Sequence, residues 1–403
     1  MSGPESGPIS GFVPGGGERW RDPCPMYRWL RDHDPVHYVE DGDYWVLSRF
    51  ADVAQAAVDT DTFSSARGLT FTYDERELVG LDRDATPIVM MDPPEHAEFR
   101  KLLARGFTPR RVVTLEPAIR AFVAERIERL RAAGSGDVVA EVFKPLPSFV
   151  VAHYLGVPES DRDRFDGWTD AIVAANATGG PLGATEAVGE MIAYFAELVE
   201  RRRTEPGDDT ISDLVQLEAQ GVQVSIVQIL GYAFTMIAGG NDTTTGLLGG
   251  AAVLLTLEPD QRRAIMESRD LISNAVDEFL RLTSPVQGLA RTVTRDVDLH
   301  GHLVPRDKKV LLLYAAANRD PAEFGPTADE CDVTRGMHRI LSFGFGPHHC
   351  LGAAAAKLQA RVTLEELLTR CPRFAVDPDR GQYATGSFVR RHSSLPFVAD
   401  VAG

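Results

Sequence analysis

Cysteine is scarce in this chain: Cys24, Cys331, Cys350 and Cys371 are the only four among 403 residues. No two stand at Cys-x-x-Cys spacing, which removes dithiol redox motifs and leaves no disulfide framework. Reduced thiols in a cytoplasmic setting are expected. Positive charge is also short. Lys and Arg number 42 against 58 Asp and Glu, for a net charge of −16. That balance argues against a general nucleic-acid binder and favours solubility. No apolar run crosses a bilayer unbroken, because the longest, around Ile226 to Leu257, carries Asn241-Asp242-Thr243-Thr244-Thr245 at its centre. Lipid does not accept such a cluster cheaply, so no membrane span is expected. Met1 to Gly17 is rich in Gly, Ser and Pro, with neither a basic n-region nor an apolar stretch of signal length. A flexible arm over residues 1–20 and a single domain over 21–403 are expected. Internal repeats are missing, and so is any flavin or nicotinamide fingerprint.

What the chain has is helix. Hydrophobic residues make up 44% and charged residues 25%, the balance of a protein that buries a large core. Helical periodicity is clearest over 52–58, 95–105, 118–132, 187–203, 226–257, 271–282 and 351–370. Strand-like stretches are short: 36–39, 44–48, 293–299, 310–314 and 374–376. Strands and helices do not alternate regularly, so a doubly wound sheet is excluded. The fold class is mainly α with a minor β-sheet region.

The densest motif is Phe343-Gly344-Phe345-Gly346-Pro347-His348-His349-Cys350-Leu351-Gly352. The alanine run that follows has high helix propensity, so a helix starts beside Cys350. Its dipole and its unpaired first-turn N–H groups favour a thiolate. Gly344 and Gly346, lacking Cβ, are expected to let backbone approach the sulfur. A thiolate held this way suits haem iron. Two other readings compete: a buried inert cysteine, or a zinc site with Cys331, His338 and His348. The run resembles the cysteine-loop signature of the cytochrome P450 superfamily, the haem-thiolate monooxygenases, at Phe343, Gly344, Gly346, His348, Cys350 and Gly352. The resemblance reaches from about Asp22 to Pro396. It implies a single-domain P450 fold with haem between the central helix and the cysteine-ligand helix, and Cys350 as axial ligand. With no Cys-x-x-Cys-His in the chain, that haem b is non-covalent. One departure is Ile340, where many soluble relatives carry His.

Ala238-Gly239-Gly240-Asn241-Asp242-Thr243-Thr244 lies inside a helical pattern that is apolar nearly all round, which marks it as buried. Two successive glycines cost about 2 kcal/mol in helix propensity, for which close approach of a flat ligand at Gly239 is one compensating reason and close helix packing another. Thr243 is expected to turn its hydroxyl onto the Gly239 carbonyl and open a local bulge. Asp242 needs a partner or proton exchange to be tolerated there. The P450 resemblance implies that Asp242 and Thr243 are the acid–alcohol pair that delivers protons during dioxygen activation.

Glu278-Phe279-Leu280-Arg281 places a carboxylate and a guanidinium on one helix face. In the family this pair is buried and structural, closed by a third residue, here Arg335. Asp92-Pro93-Pro94-Glu95-His96 is read as a helix start, with a capping Asp and a Pro at the first position, that sets His96 and Arg100 on one face. With Arg291 and His348 they match family positions for haem propionate contacts. Family substrate contacts fall on Leu69, Phe71, Ile237, Leu289, Phe388 and Val389, which suits an apolar small molecule. Electrons must come from another protein. Lys101, Arg105, Arg110, Arg111, Lys357 and Arg361 are read as a basic thiolate-side face for a ferredoxin. A monomer is expected. A peroxide-using haem-thiolate hydroxylase and a haem-thiolate gas sensor are the alternatives.

Overall fold

The computed structural model describes residues 11–73, 86–178, 185–219, 225–336 and 339–400. The helices that place the site are α1 (Phe50–Val58), α2 (Glu95–Leu103), α3 (Glu116–Ala133), α4 (Pro145–Tyr154), α5 (Ile226–Leu257), α6 (Ile272–Thr283) and α7 (Ala353–Arg370). The main sheet takes β1 (Val36–Val39), β2 (Tyr44–Leu47), β3 (Phe63–Ser64), β4 (Leu289–Val293) and β5 (Lys309–Leu312). Its order is β1-β2-β5-β4-β3, with β2 and β5 parallel and the other neighbours antiparallel. The segment read as a strand over 293–299 spans a break. Arg291 sits in β4, and a separate hairpin strand begins at Val297.

The central helix α5 is fixed at its start by a reciprocal cap, in which the Ser225 hydroxyl accepts from the Gln228 N–H and the Gln228 side chain accepts from the Ser225 N–H. At ~1.5 Å per residue it crosses the domain. α4, α6 and α7 pack on it, and α7 also packs on α3. One large apolar cluster, containing Val142, Leu146, Ile237, Leu248, Phe279 and Leu364, fills the space between them. A second cluster, including Phe50, Val293 and Leu312, joins α1 to the sheet.

The amino-terminal segment is not a free arm from Gly11 onward. The Gly17 N–H donates to the Ala384 carbonyl at 2.8 Å. The buried Trp20 donates from Nε1 to the Gly386 carbonyl at 2.8 Å. The indole fills the place where a side chain on Gly15 would sit.

His392 is buried beside α5, its ring against Gly249. Burial first, and then Arg390 and Arg21, push its pKa from 6.5 down to about 3. The unfolded imidazole takes a proton near its ordinary value, whereas the folded one does not. The stability this residue contributes is therefore complete above pH 6.5 and is lost as pH falls from there toward 3. His392→Gln should flatten the acid limb by up to ~1.4 kcal/mol per pH unit. Urea unfolding midpoints measured on both sides of pH 6.5 check this. Identical slopes in variant and parent would remove His392 as the cause.

Candidate active site

The cysteine loop is shaped by two left-handed glycines. Gly344 has φ +68° and Gly346 +69°, a region that side-chain-bearing residues rarely adopt. The reason for Gly346 differs from the one expected. A Cβ there would meet Val58 Cγ1 at 2.8 Å, so this glycine lets the loop lie on α1 and does not serve the sulfur. Gly352 is the residue near it, its Cβ position 3.9 Å from Cys350 Sγ. α7 begins at Ala353, and the N–H groups of Gly352 and Ala353 face the thiol. The protein packed around the sulfur pushes the thiol pKa up even though one side of it is open, while these N–H groups and the Arg100 guanidinium pull it down. The loop closes through the Cys350 N–H on the Phe343 carbonyl at 2.8 Å.

Across from this loop, α5 runs unbroken from Ile226 to Leu257. Thr243 Oγ1 donates to the Gly239 carbonyl at 2.9 Å without breaking the helix, so the bulge expected there is not formed. The two successive glycines have different reasons. Gly240 admits Val151 of α4, whose Cγ2 would lie 2.9 Å from a Cβ. Gly239 faces open space and is exposed in the middle of a largely buried helix. Cys350 is exposed as well, although α7 behind it is core. Asp242 is ion-paired with Arg391, Nε to Oδ1 2.6 Å, a partner that no motif announces.

Four basic groups converge beside the loop. His96 and His348 have ring centroids 4.2 Å apart. Burial, then Arg291, His96 and Arg100, push His348 down to about 3. Burial, then Arg100, also lowers His96. Arg291 is buried and donates to its neighbour's carbonyl, Ala290 O, at 2.8 Å, and Arg100 donates to the His349 carbonyl. Among the described residues neither arginine is ion-paired with a carboxylate. A buried guanidinium (Arg291) and a half-buried one (Arg100) beside two neutral imidazoles form a cradle for an anion. Asp92 does not compete for it, and it does not cap α2. Its carboxylate accepts from the Ser65 N–H at 2.9 Å and from the Ser64 hydroxyl. Ser65 Oγ also lies 3.3 Å from His348 Nε2, a contact that sequence patterns do not show.

A thiol at a helix start, a basic cradle beside it and an open glycine on the central helix that packs on that helix agree with the comparisons. The sequence model of cytochrome P450 matches residues 183–385. Cytochrome P450 130 of Mycobacterium tuberculosis (strain ATCC 25618 / H37Rv) is 59% identical over 388 residues, 94% of this chain and 96% of that one. The chain belongs to the cytochrome P450 family. Vitamin D(3) 25-hydroxylase of Pseudonocardia autotrophica is 37% identical and covers 94% of each chain. The structure of cytochrome P450 CYP109Q5 from Chondromyces apiculatus superposes with a TM-score of 0.86 at 34% identity, covering 96% of this chain and 97% of that one. A P450 is a monooxygenase with a haem-thiolate cofactor, a redox partner and a small-molecule substrate. The residues of the cradle and the cysteine loop fit that cofactor: Cys350 would offer the sulfur, and His96, Arg100, Arg291 and His348 would offer donors to its two carboxylates.

In this P450 the scaffold behind the loop is a buried polar network. Arg281 grips Glu278 with two bonds of 2.7 Å, and both side chains are 0% exposed. Arg281 also donates to the carbonyls of Asn318, Ala328 and Glu330. Arg335 reaches Glu278 at 3.4 Å, and the Asp332 N–H reaches it at 2.9 Å. Asn318 carries the support forward. Its Oδ1 accepts from the Leu341 N–H at 2.8 Å, and its Nδ2 donates to Ser284 and Ser342. Leu341 O in turn accepts from Gly344 N–H, the first turn of the cysteine loop.

Other assignments need correction. Ile237 is fully buried in the main core and does not line an open pocket. Phe71 stacks on Tyr44 at 4.8 Å and meets Phe388 at 5.1 Å. Val389 pairs with Val286, and Leu69 O accepts from the Ala290 N–H. Ile340 packs partly buried on the main core. The basic face is largely compensated. Arg111 pairs with Asp208 and Asp213, Lys357 with Asp277, and Arg361 with Glu116 and Glu365. Lys101 and Arg110 remain exposed, and the Arg105 side chain lies outside the described residues. His338 of the zinc reading also lies outside them. Among the described residues no group of three His, Cys, Asp or Glu is placed to hold a metal ion. No helix among them is long and apolar enough to cross a membrane.

Proposed function

We propose that this P450 inserts one atom of dioxygen into an apolar small molecule, using a non-covalent haem b and electrons relayed from a ferredoxin reductase by a ferredoxin. The observation that carries the reading is the pairing of an open Cys350, faced by two N–H groups, with an open Gly239 one helical turn from Thr243. When bound, haem supplies the redox chemistry that activates dioxygen. Cys350 would hold it through the sulfur, and the His96, Arg100, Arg291 and His348 cradle would bind its carboxylates. Gly239 keeps α5 clear of its face. Asp242 and Thr243 would move protons to the dioxygen site, the hydroxyl being placed on Gly239 O and the carboxylate resting on Arg391. The aromatic and aliphatic groups at Phe71, Leu289, Phe388 and Val389 favour an apolar substrate. The relative named for hydroxylating vitamin D(3) is consistent with that chemistry.

An acid–alcohol pair disfavours peroxide as the oxidant, because peroxide brings its own protons. Turnover with ferredoxin, its reductase and a reduced nicotinamide should exceed turnover on peroxide alone, and the reverse order would overturn the reading. The exposed Lys101 and Arg110 are the charges left for an acidic partner, so its docking should weaken with salt.

Thr243→Ala should leave haem content and substrate affinity near parental values, since the hydroxyl bonds only within α5. Product formed per nicotinamide oxidised should fall severalfold, with hydrogen peroxide rising to match; proton delivery by one positioned group is worth about a hundredfold or more when complete. Unchanged coupling would reduce Thr243 to a packing role.

A further inference from the structure

The most unusual contact near the site is the ion pair between Asp242 on α5 and Arg391 on the carboxy-terminal segment. Nε and Oδ1 are 2.6 Å apart, and the side chains are only 11% and 19% exposed. Arg391 Nε itself has no aligned hydrogen bond among the described residues. The segment lies against α5 because Gly246, one turn beyond Asp242, has no side chain. A Cβ there would be 2.7 Å from the Arg390 carbonyl and 3.4 Å from Arg391 Cβ. The same segment is tied to the chain before β4. The Arg390 N–H donates to Pro285 O and the Gln287 N–H to Phe388 O, both at 2.8 Å, and Val389 bridges Val286. Arg390 Nε donates to Trp20 O at 2.6 Å. Phe388 and Val389, two of the groups assigned to the substrate, are thus three and two residues from the guanidinium that holds Asp242.

We propose that Arg391 is a positioning residue: it latches Asp242 while the site is empty, and substrate seated on Phe388 and Val389 shifts the segment and releases the latch. The proposal rests on the proton-carrying role given to Asp242 above. A carboxylate engaged by a guanidinium carries no proton inward until the pair opens. Once open, Asp242 takes a proton from solvent water, hands it on past Thr243 to reduced dioxygen, and is reprotonated from solvent. The electrons are those of the monooxygenase reaction, and no further reactant is needed.

The test uses substrate-free, haem-loaded protein reduced with dithionite and mixed rapidly with air-saturated buffer. The rate of return to the oxidised spectrum is read in ordinary and heavy water. Arg391→Gln should quicken that return roughly fivefold, the factor that about 1 kcal/mol of ion pair represents, and should enlarge the solvent isotope effect. Arg391→Lys, which keeps the charge, should stay near the parental rate. Asp242→Asn combined with Arg391→Gln should return to the rate of Asp242→Asn alone. Val389→Phe, which crowds the segment, should quicken the return as Arg391→Gln does. A parental rate in Arg391→Gln, or a quickening that survives in the double variant, would overturn the latch. A parental rate in Val389→Phe would overturn its link to substrate. Thermal unfolding separates this from the role of Asp242. Single and double variants should be non-additive if the pair exists, whereas normal coupling during turnover of Asp242→Asn would reject Asp242 as proton carrier and leave the pair standing.

Discussion

Arg281→Ala should yield almost no soluble haem protein. The guanidinium is fully buried and serves Glu278 together with three backbone carbonyls, those of Asn318, Ala328 and Glu330. Its removal strands a buried carboxylate with the Asp332 N–H at 2.9 Å and Arg335 at 3.4 Å as its remaining partners. Stranding one member of such a pair costs on the order of 3–5 kcal/mol, against a total stability of about 5–15 kcal/mol. Glu278→Ala should fail in the same direction. Arg281→Lys should not rescue it, because an ammonium cannot span two carboxylate oxygens and three carbonyls at once. Expression yield, haem-to-protein ratio and urea unfolding check the outcome. A normal yield from either alanine variant would show that the network is not what holds Asn318, and through it Leu341, in place.

The second large effect is expected at Cys350, and it is a loss of ligand without a loss of fold. Cys350→Ser should purify with little haem and show no hydroxylation. The polypeptide should survive. The side chain is exposed, and the bond that closes the loop runs from its backbone N–H to Phe343 O. Although one side of the sulfur is open, the protein packed around the rest of it holds the free thiol in its protonated form, against the N–H groups of Gly352 and Ala353. A metal's positive charge is what would complete the thiolate. A serine hydroxyl is far less acidic than a thiol and does not follow. Far-ultraviolet circular dichroism near the parental trace, with haem content close to zero, is the expected pair of results. Full haem loading in the serine variant would place the axial ligand elsewhere.

Sequence pattern located the site better than it described its surroundings. The bounds of α5 and β1 coincide with the expectation, because one is a long apolar run with a reciprocal cap and the other a short alternating stretch. Helices over Pro145–Tyr154, Arg162–Thr178 and Thr210–Ala219 were not anticipated. The first and last are short and buried on several sides, so their apolar residues show no clean stripe. The cysteine loop was legible because its glycines, proline and cysteine have fixed spacing. Asn318, Ser65 and Arg391 were not. Each acts across more than 20 residues of sequence through hydrogen bonds or an ion pair, and no local pattern records such a contact. The basic face failed for the same reason. Its cations are visible in the sequence, but Asp213, Asp277 and Glu116, which neutralise them, are brought in by the fold.

The central assignment is a thiolate from Cys350 on haem iron. The measurement that reaches it most directly is the absorption spectrum of freshly purified protein, reduced with dithionite and exposed to carbon monoxide. A thiolate opposite carbon monoxide pushes electron density through the iron. The expected result is the strongly red-shifted Soret band that marks thiolate ligation, absent from Cys350→Ser reconstituted with haem. A Soret band at the position given by histidine-ligated haem, in protein that still turns over, would contradict it.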